Sequence, residues 1–190
     1  MNKEKNQLRQ TMQKRIQAFE NEYIENADKQ IAGHILDSDL YKEATTIFTF
    51  ITMNREIDVL PIVRQALKDN KTVCAPKCYD GGRMDALKIS SLDDMIIGRK
   101  DVPEPEESCP LVCKEDIDLI LVPCLAADIS GYRLGYGGGY YDMYLESYKG
   151  NSLLLCREEQ LVEEIPVESF DISTGYLVTE ASLNLTVPFF

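Results

Sequence analysis

The chain has 190 residues, carries 20 Lys and Arg against 32 Asp and Glu, and so has a net charge of −12 with 44% hydrophobic residues. That length reads as one domain over residues 1–190, and no apolar run reaches the ~20 residues that a membrane-spanning helix needs. The negative field, with no basic patch to offset it, argues against nucleic acid as a partner, and the polar start MNKEKNQLRQ holds no secretory apolar segment. A cytoplasmic protein is expected.

Residues 5–23 bring Leu8, Met12, Ile16, Phe19 and Tyr23 to three- or four-residue spacing, which predicts one helical stripe with Lys5 and Arg9 on a shared face near its start. Ile31 and Ile35 predict a second helix. TTIFTFI, 45–51, is β-branched and aromatic, the composition of a buried strand. A helix is expected over 57–69, with Pro61 tolerated in its first turn.

TVCAP, 72–76, and MDALKIS, 84–90, read as strands, and GRKDVPEPEESCP, 98–110, as an ordered surface excursion. IDLILVP, 117–123, is the most apolar segment and predicts a central strand. Further expectations are a helix over 140–148, a strand at SLLLC, 152–156, a short helix near 157–164 and a strand within GYLVTE, 175–180. Near-continuously apolar strands alternating with helices predict an α/β fold: three layers, a mostly parallel, Rossmann-like sheet with helices on both faces. In such sheets ligands bind beyond the carboxyl ends of strands.

The segment after strand 117–123 crowds Gly131, Gly135, Gly137, Gly138 and Gly139 around Arg133 and just before Asp142. Glycines let a phosphate or flat ligand lie against bare backbone, and a following helix N-terminus favours negative charge. Neither the P-loop nor the G-x-G-x-x-G fingerprint fits. The six cysteines include the pairs Cys74-x3-Cys78 and Cys109-x3-Cys113, but apolar surroundings favour free thiols over zinc. His34, the single histidine, has no motif around it, so catalysis without histidine is expected.

PCLAADISGYRLGYGGGYYDMYL, 123–145, resembles the signature of the 5-formyltetrahydrofolate cyclo-ligase family, also called 5,10-methenyltetrahydrofolate synthetase. KNQLR looks like the family's Lys-x-x-x-Arg; MNREIDV, GRMDALKI, VPEP, EEQLVEEIPVESFD and LVTE are similar to its further motifs in order. The resemblance implies an ATP- and Mg2+-dependent ring closure of 5-formyltetrahydrofolate, by a monomer or weak homodimer. It implies ATP contacts from Lys5, Arg9, Arg133, Leu134, Gly135, Tyr136, Gly137, Gly138, Gly139, Tyr140 and Tyr141, with Arg133, Tyr140 and Tyr141 catalytic. The folate side would take Ile51, Glu56, Tyr136, Gly137, Gly138, Gly139 and Tyr140, and the metal Asp142 and Asp171.

Two positions depart from the family pattern: Ala127 stands in place of a phenylalanine, and Phe170 in place of a histidine before Asp171. Taken alone, Lys5 and Arg9 read as solvated helix charges, Asp142 as first-turn charge and Glu56 as a cap partner. The alternative expectation is a non-catalytic nucleotide- or folate-binding module on the same scaffold.

Overall fold

A computed structural model describes residues 3–98 and 102–186. Three helices, α1 (Lys3–Gln17), α2 (Asn21–Asp37) and α3 (Asp39–Glu43), precede β1 (Thr46–Thr49). Next come α4 (Leu60–Lys68), β2 (Thr72–Cys78), β3 (Met84–Ile89), a ribbon of β4 (Met95–Ile97) and β5 (Pro103–Pro105), and the short β6 (Leu111–Val112). β7 (Leu119–Val122) leads into the hairpin of β8 (Ala126–Ala127) and β9 (Arg133–Leu134), then α5 (Tyr140–Leu145). β10 (Asn151–Leu155), β11 (Tyr176–Val178) and β12 (Leu183–Leu185) complete the described chain.

The main sheet has the order β12-β11-β10-β7-β1-β2-β3-β6. Its inner five strands, β11 to β2, are parallel, and antiparallel strands close both edges. Successive inner-strand residues point into opposite cores, which accounts for the unbroken apolar runs. Ile47, Leu119, Leu121 and Leu153 face α2 and α4 through Ile31, Ile35, Ile62 and Val63. Phe48, Ile120, Val122 and Leu154 face α5 through Tyr144 and Leu145. Each such side chain contributes about 1.5–3 kcal/mol on burial.

From β1 the chain moves to β2 on one side, whereas β7 pairs with β1 on the other. The strand order therefore reverses between β1 and β7, and a crevice opens beyond their carboxyl ends. α1 lies on neither face of the sheet. Its Met12 and Ile16 pack on Leu125, Ala126, Leu134 and Ile165, around the β8–β9 hairpin. That docking carries the start of α1 to the glycine loop.

The expected single stripe over 5–23 is two helices, because α1 ends at Gln17. Arg55 donates from Nε to the Ile16 carbonyl at 2.9 Å and from Nη2 to that of Phe19, holding the chain on both sides of the break. Phe19 and Tyr23 still meet edge to face across the break, with ring centroids 5.3 Å apart. The helix expected at 140–148 stops at Leu145, and Ser147 adopts φ 84°.

Only one 3-10 turn, Glu158–Gln160, forms in the helix expected at 157–164. Its amide at Glu158 is capped by the Glu180 carboxylate at 2.9 Å, and Pro166 disfavours helical backbone at Ile165. In the excursion 98–110, residues 99–101 lie outside the described residues. The rest is less superficial than expected: Glu104 is buried and paired with Lys77 at 3.1 Å.

Candidate active site

A cleft of about 940 Å3 occupies the crevice beyond β1 and β7. One wall is the loop after β1, with Phe50, Ile51 and Glu56; the other is the glycine loop between β9 and α5, with Lys5 and Arg9 of α1 beside it. Most of the glycines in this segment are required by backbone conformation or crowding. Gly131, at φ 83°, has no room for a Cβ, which would lie 2.5 Å from the Thr174 carbonyl oxygen. This turn is further held by Asp128, whose Oδ1 accepts the Ser130 amide at 2.9 Å and whose Oδ2 accepts the Ile165 amide at 2.9 Å.

Gly137 and Gly139 adopt φ 95° and 71°, conformations that side chains disfavour, and Gly138 is crowded by the Tyr140 ring. Gly135 differs from all of these. Its backbone is unstrained and a Cβ there would meet nothing within 4 Å, so it borders open cleft.

Lys5 and Arg9, one helical turn apart, reach this loop from α1. Lys5 is only 6% exposed, so the reading of a solvated helix charge does not hold for it. Its Nζ pairs with Asp171 and lies 3.3 Å from Glu168, with the exposed Phe170 ring 5.5 Å away. Arg9 donates from Nε to the Gly135 carbonyl at 2.9 Å, and its guanidinium lies alongside Gly137.

Arg133 and Asp142 are joined at 2.8 Å, and Asp142 also accepts the Ile172 amide at 3.1 Å. Asp171 accepts the Glu168 amide at 2.6 Å in addition to Lys5. The structure thus brings Lys5, Arg133, Asp142 and Asp171 to one end of the cleft, with each carboxylate against a cation. Among the described residues, one oxygen of Asp142 and one of Asp171 keep no hydrogen bond. No group of three or more His, Cys, Asp or Glu among the described residues converges there as a metal cage.

On the opposite side Ile51 is buried, and Glu56 accepts the Met53 amide at 3.0 Å. Burial pushes the Glu56 carboxyl above its ordinary value, opposed by the Tyr136 phenol and the Met53 amide. Tyr136 is mostly exposed and arches from the glycine loop toward Glu56. Tyr140 donates to the Tyr79 carbonyl at 3.1 Å. The Tyr141 ring stacks on Phe48, and its hydroxyl is buried without a hydrogen-bond partner among the described residues. Burial raises the Tyr141 pKa, so that hydroxyl stays a proton donor at neutral pH.

Ala127, the departure from phenylalanine, is wholly buried in the core beneath α5 and pairs with Arg133 across the hairpin. Sequence reasoning missed Glu168 as a partner of Lys5, and it missed Asp28 and Arg157. An arginine directly after the apolar run SLLLC gives no local sign of burial, yet Arg157 is fully buried and bound to Asp28 at 2.7 Å. All six cysteines are free thiols.

The cleft joins two chemistries. One end offers cations, open backbone and two acids, the groups that a metal-bound polyphosphate requires. The other is apolar with a single carboxylate, suited to a flat heterocycle with N–H donors. Among the described residues no helix is long and apolar enough to cross a membrane.

Similarity to known proteins extends over nearly the whole chain. The profile of the 5-formyltetrahydrofolate cyclo-ligase family matches residues 1–180. The chain is 27% identical over 181 residues to the 5-formyltetrahydrofolate cyclo-ligase of Escherichia coli (strain K12), covering 90% of this chain and 98% of that one. With the Mus musculus enzyme of the same name it shares 25% identity over 195 residues, 96% of each chain. The NMR structure of Aquifex aeolicus 5,10-methenyltetrahydrofolate synthetase superposes with a TM-score of 0.84 and 28% identity, covering 98% of this chain and 94% of that one. The order of motifs, the crevice at the strand-order reversal and these full-length matches lead to one assignment: the chain belongs to the 5-formyltetrahydrofolate cyclo-ligase family.

Proposed function

We propose that this protein converts 5-formyltetrahydrofolate to 5,10-methenyltetrahydrofolate at the expense of ATP. The observation that carries the reading is the two-ended cleft, with Lys5, Arg9 and the glycine loop at one end and Glu56 at the other. Both reactants need to lie in one cavity, because the γ-phosphoryl group passes directly from ATP to the formyl oxygen. N10 then attacks the activated formyl carbon and gives up its proton to solvent, the C–O bond breaks, and phosphate leaves with the former formyl oxygen.

Phosphoryl transfer asks a protein chiefly for alignment and charge neutralisation. Lys5, Arg9 and Arg133 supply positive charge, and Gly135 leaves space for phosphate oxygens close to main chain. Tyr136 to Tyr140 border both ligands, where the two reacting groups meet. The buried Tyr141 hydroxyl is a donor awaiting an acceptor in this cleft, and it suits the oxygen on which charge develops. Glu56 and Ile51 hold the pterin, the carboxylate accepting N–H groups of the ring.

Asp142 and Asp171 fit magnesium as donors of one oxygen each, in keeping with an ion that retains phosphate oxygens and water. When bound, Mg2+ neutralises charge on the triphosphate. Lys5 and Arg133 already sit against these two carboxylates, so arriving phosphates would compete for the same cations.

The test is to mix the protein with ATP, MgCl2 and 5-formyltetrahydrofolate and follow methenyltetrahydrofolate by absorbance. Product that grows in proportion to enzyme is expected. No product above background at high protein concentration overturns the reading. The non-catalytic alternative predicts ligand-induced thermal stabilisation without turnover.

A further inference from the structure

Arg157 is the bulkiest of the fully buried side chains among the described residues. Its Nε and Nη2 meet Oδ1 and Oδ2 of Asp28 at 2.7 and 2.9 Å, a two-pronged pair. The remaining donors do not point at other side-chain acids. Nη1 donates to the Arg55 carbonyl at 3.0 Å and Nη2 to the Glu56 carbonyl at 3.2 Å. Asp28 completes the grip from its own side, because its Oδ2 accepts the Asp58 amide at 3.0 Å. Three backbone groups in four consecutive residues are therefore held by one ion pair.

The same guanidinium contacts the Gln160 side-chain oxygen at 3.3 Å, and Gln160 donates onward to the Leu125 carbonyl at 3.1 Å. The pair thereby links the loop carrying Glu56 to the segment that follows β7, the opposite lip of the crevice.

Burying two charges is a poor route to stability. Removing them from water costs several kcal/mol per ion, and apolar residues of similar volume commonly serve the fold as well or better. What an apolar pair cannot supply is directed donors and acceptors for a loop that turns back on itself through Asn54 at φ 49°. Without them, two carbonyls and an amide of residues 55–58 would lack partners in a mostly buried setting.

We propose that Arg157 and Asp28 form a buried strut that sets the position of Glu56, making Arg157 a positioning residue for the folate end of the cleft and not for the ATP end. This role rests on the cyclo-ligase reading given above. The strut touches no residue assigned to phosphate. Its effect reaches the ligand through the Glu56 backbone, whose displacement moves the carboxylate that the pterin meets. A shift on the order of 1 Å is enough to cost such a site much of its activity.

Three variants test it: Arg157→Lys, which keeps the charge and loses the fork; Asp28→Asn; and the double replacement Asp28→Leu with Arg157→Met, which fills the site with apolar volume. Amide hydrogen exchange reads the loop directly, and initial-rate kinetics reads each substrate separately. Faster exchange confined to residues 53–58 is expected, with KM for 5-formyltetrahydrofolate raised at least tenfold and KM for ATP within about twofold of wild type. The double variant should show this split while melting close to the wild-type temperature, because relief from burying two charges offsets the three backbone groups left to water, which separates positioning from stability even if the single variants fold poorly. Unchanged exchange at 53–58, or equal rises in both KM values, overturns the proposal. Should wild-type protein give no turnover at all, the cyclo-ligase reading falls, and the exchange data still decide whether the strut holds the loop.

Discussion

Arg133 and Asp142 enclose the backbone of one residue between them: the guanidinium donates to the Ile172 carbonyl at 2.7 Å, and the carboxylate accepts the Ile172 amide at 3.1 Å. Joined to each other at 2.8 Å, they fasten the tail segment to the glycine loop at the point where α5 begins. Arg133 thus has a structural task as well as the proposed one toward phosphate. Arg133→Lys is expected to lower turnover by about 10²–10³-fold through loss of charge stabilisation. It should also cost about 1–3 kcal/mol, because the Ile172 carbonyl and Asp142 lose a donor. Turnover assays and urea melts measure both. A full loss of turnover with no change in stability would show the clasp to be dispensable for the fold.

Asp142→Asn separates charge from shape. Asparagine still presents an oxygen to Arg133 and to the Ile172 amide, so the melting temperature should move little. A magnesium ligand, by contrast, needs the negative charge. The magnesium concentration giving half-maximal rate is expected to rise about tenfold or more. A magnesium titration identical to wild type removes Asp142 from the metal site.

The glycines make opposite predictions for chemically identical changes. Gly131→Ala puts a Cβ 2.5 Å from the Thr174 carbonyl oxygen at φ 83°, and should destabilise the protein by more than about 1 kcal/mol. Gly135→Ala meets no protein atom and leaves the stability near wild type. If that open space is where phosphate oxygens lie, its methyl group will raise KM for ATP while the folate KM stays put. Calorimetry and two-substrate kinetics on this pair check the assignment, and an ATP KM unmoved by Gly135→Ala would place the triphosphate elsewhere.

Local patterns in the sequence sufficed for the inner sheet. β1, β7 and β10 are apolar toward both cores except at the buried Thr49 and Ser152, and covered parallel strands are near-continuously apolar in this way. The glycine loop and its neighbours were equally legible, as their spacing is a local feature. What escaped was decided at long range. The stripe through Phe19 and Tyr23 keeps its period across a helix break, and the break is held by Arg55, far along the chain. Lys5 looks like a surface charge until the fold brings Asp171 to it, and nothing beside Arg157 announces that Asp28 will neutralise it. Pairs such as β8 and β9, two residues each, are too short to show any period.

Glu56 couples recognition to stability through its proton. Burial raises its carboxyl above the reference value of 4.5, so the folded protein holds this proton more tightly than the unfolded chain does. Between that reference and the raised value, folded protein binds more protons than unfolded, and stability falls as pH rises through the window. Above it the ionised carboxylate remains a standing penalty in the empty cleft, one that a folate N–H donor relieves. Glu56→Gln keeps an oxygen for the Met53 amide and removes the charge. It should therefore melt above wild type at neutral pH, with the difference shrinking as pH is lowered toward 4.5. The same change removes a charged acceptor worth about 1.5–3 kcal/mol to the ligand, raising KM for 5-formyltetrahydrofolate roughly 10–100-fold. Melting curves across this pH range, with kinetics at neutral pH, test both halves. A variant that is no more stable than wild type at neutral pH would mean that Glu56 is not held in the folded cleft at a cost, and the link between its burial and substrate binding would be lost.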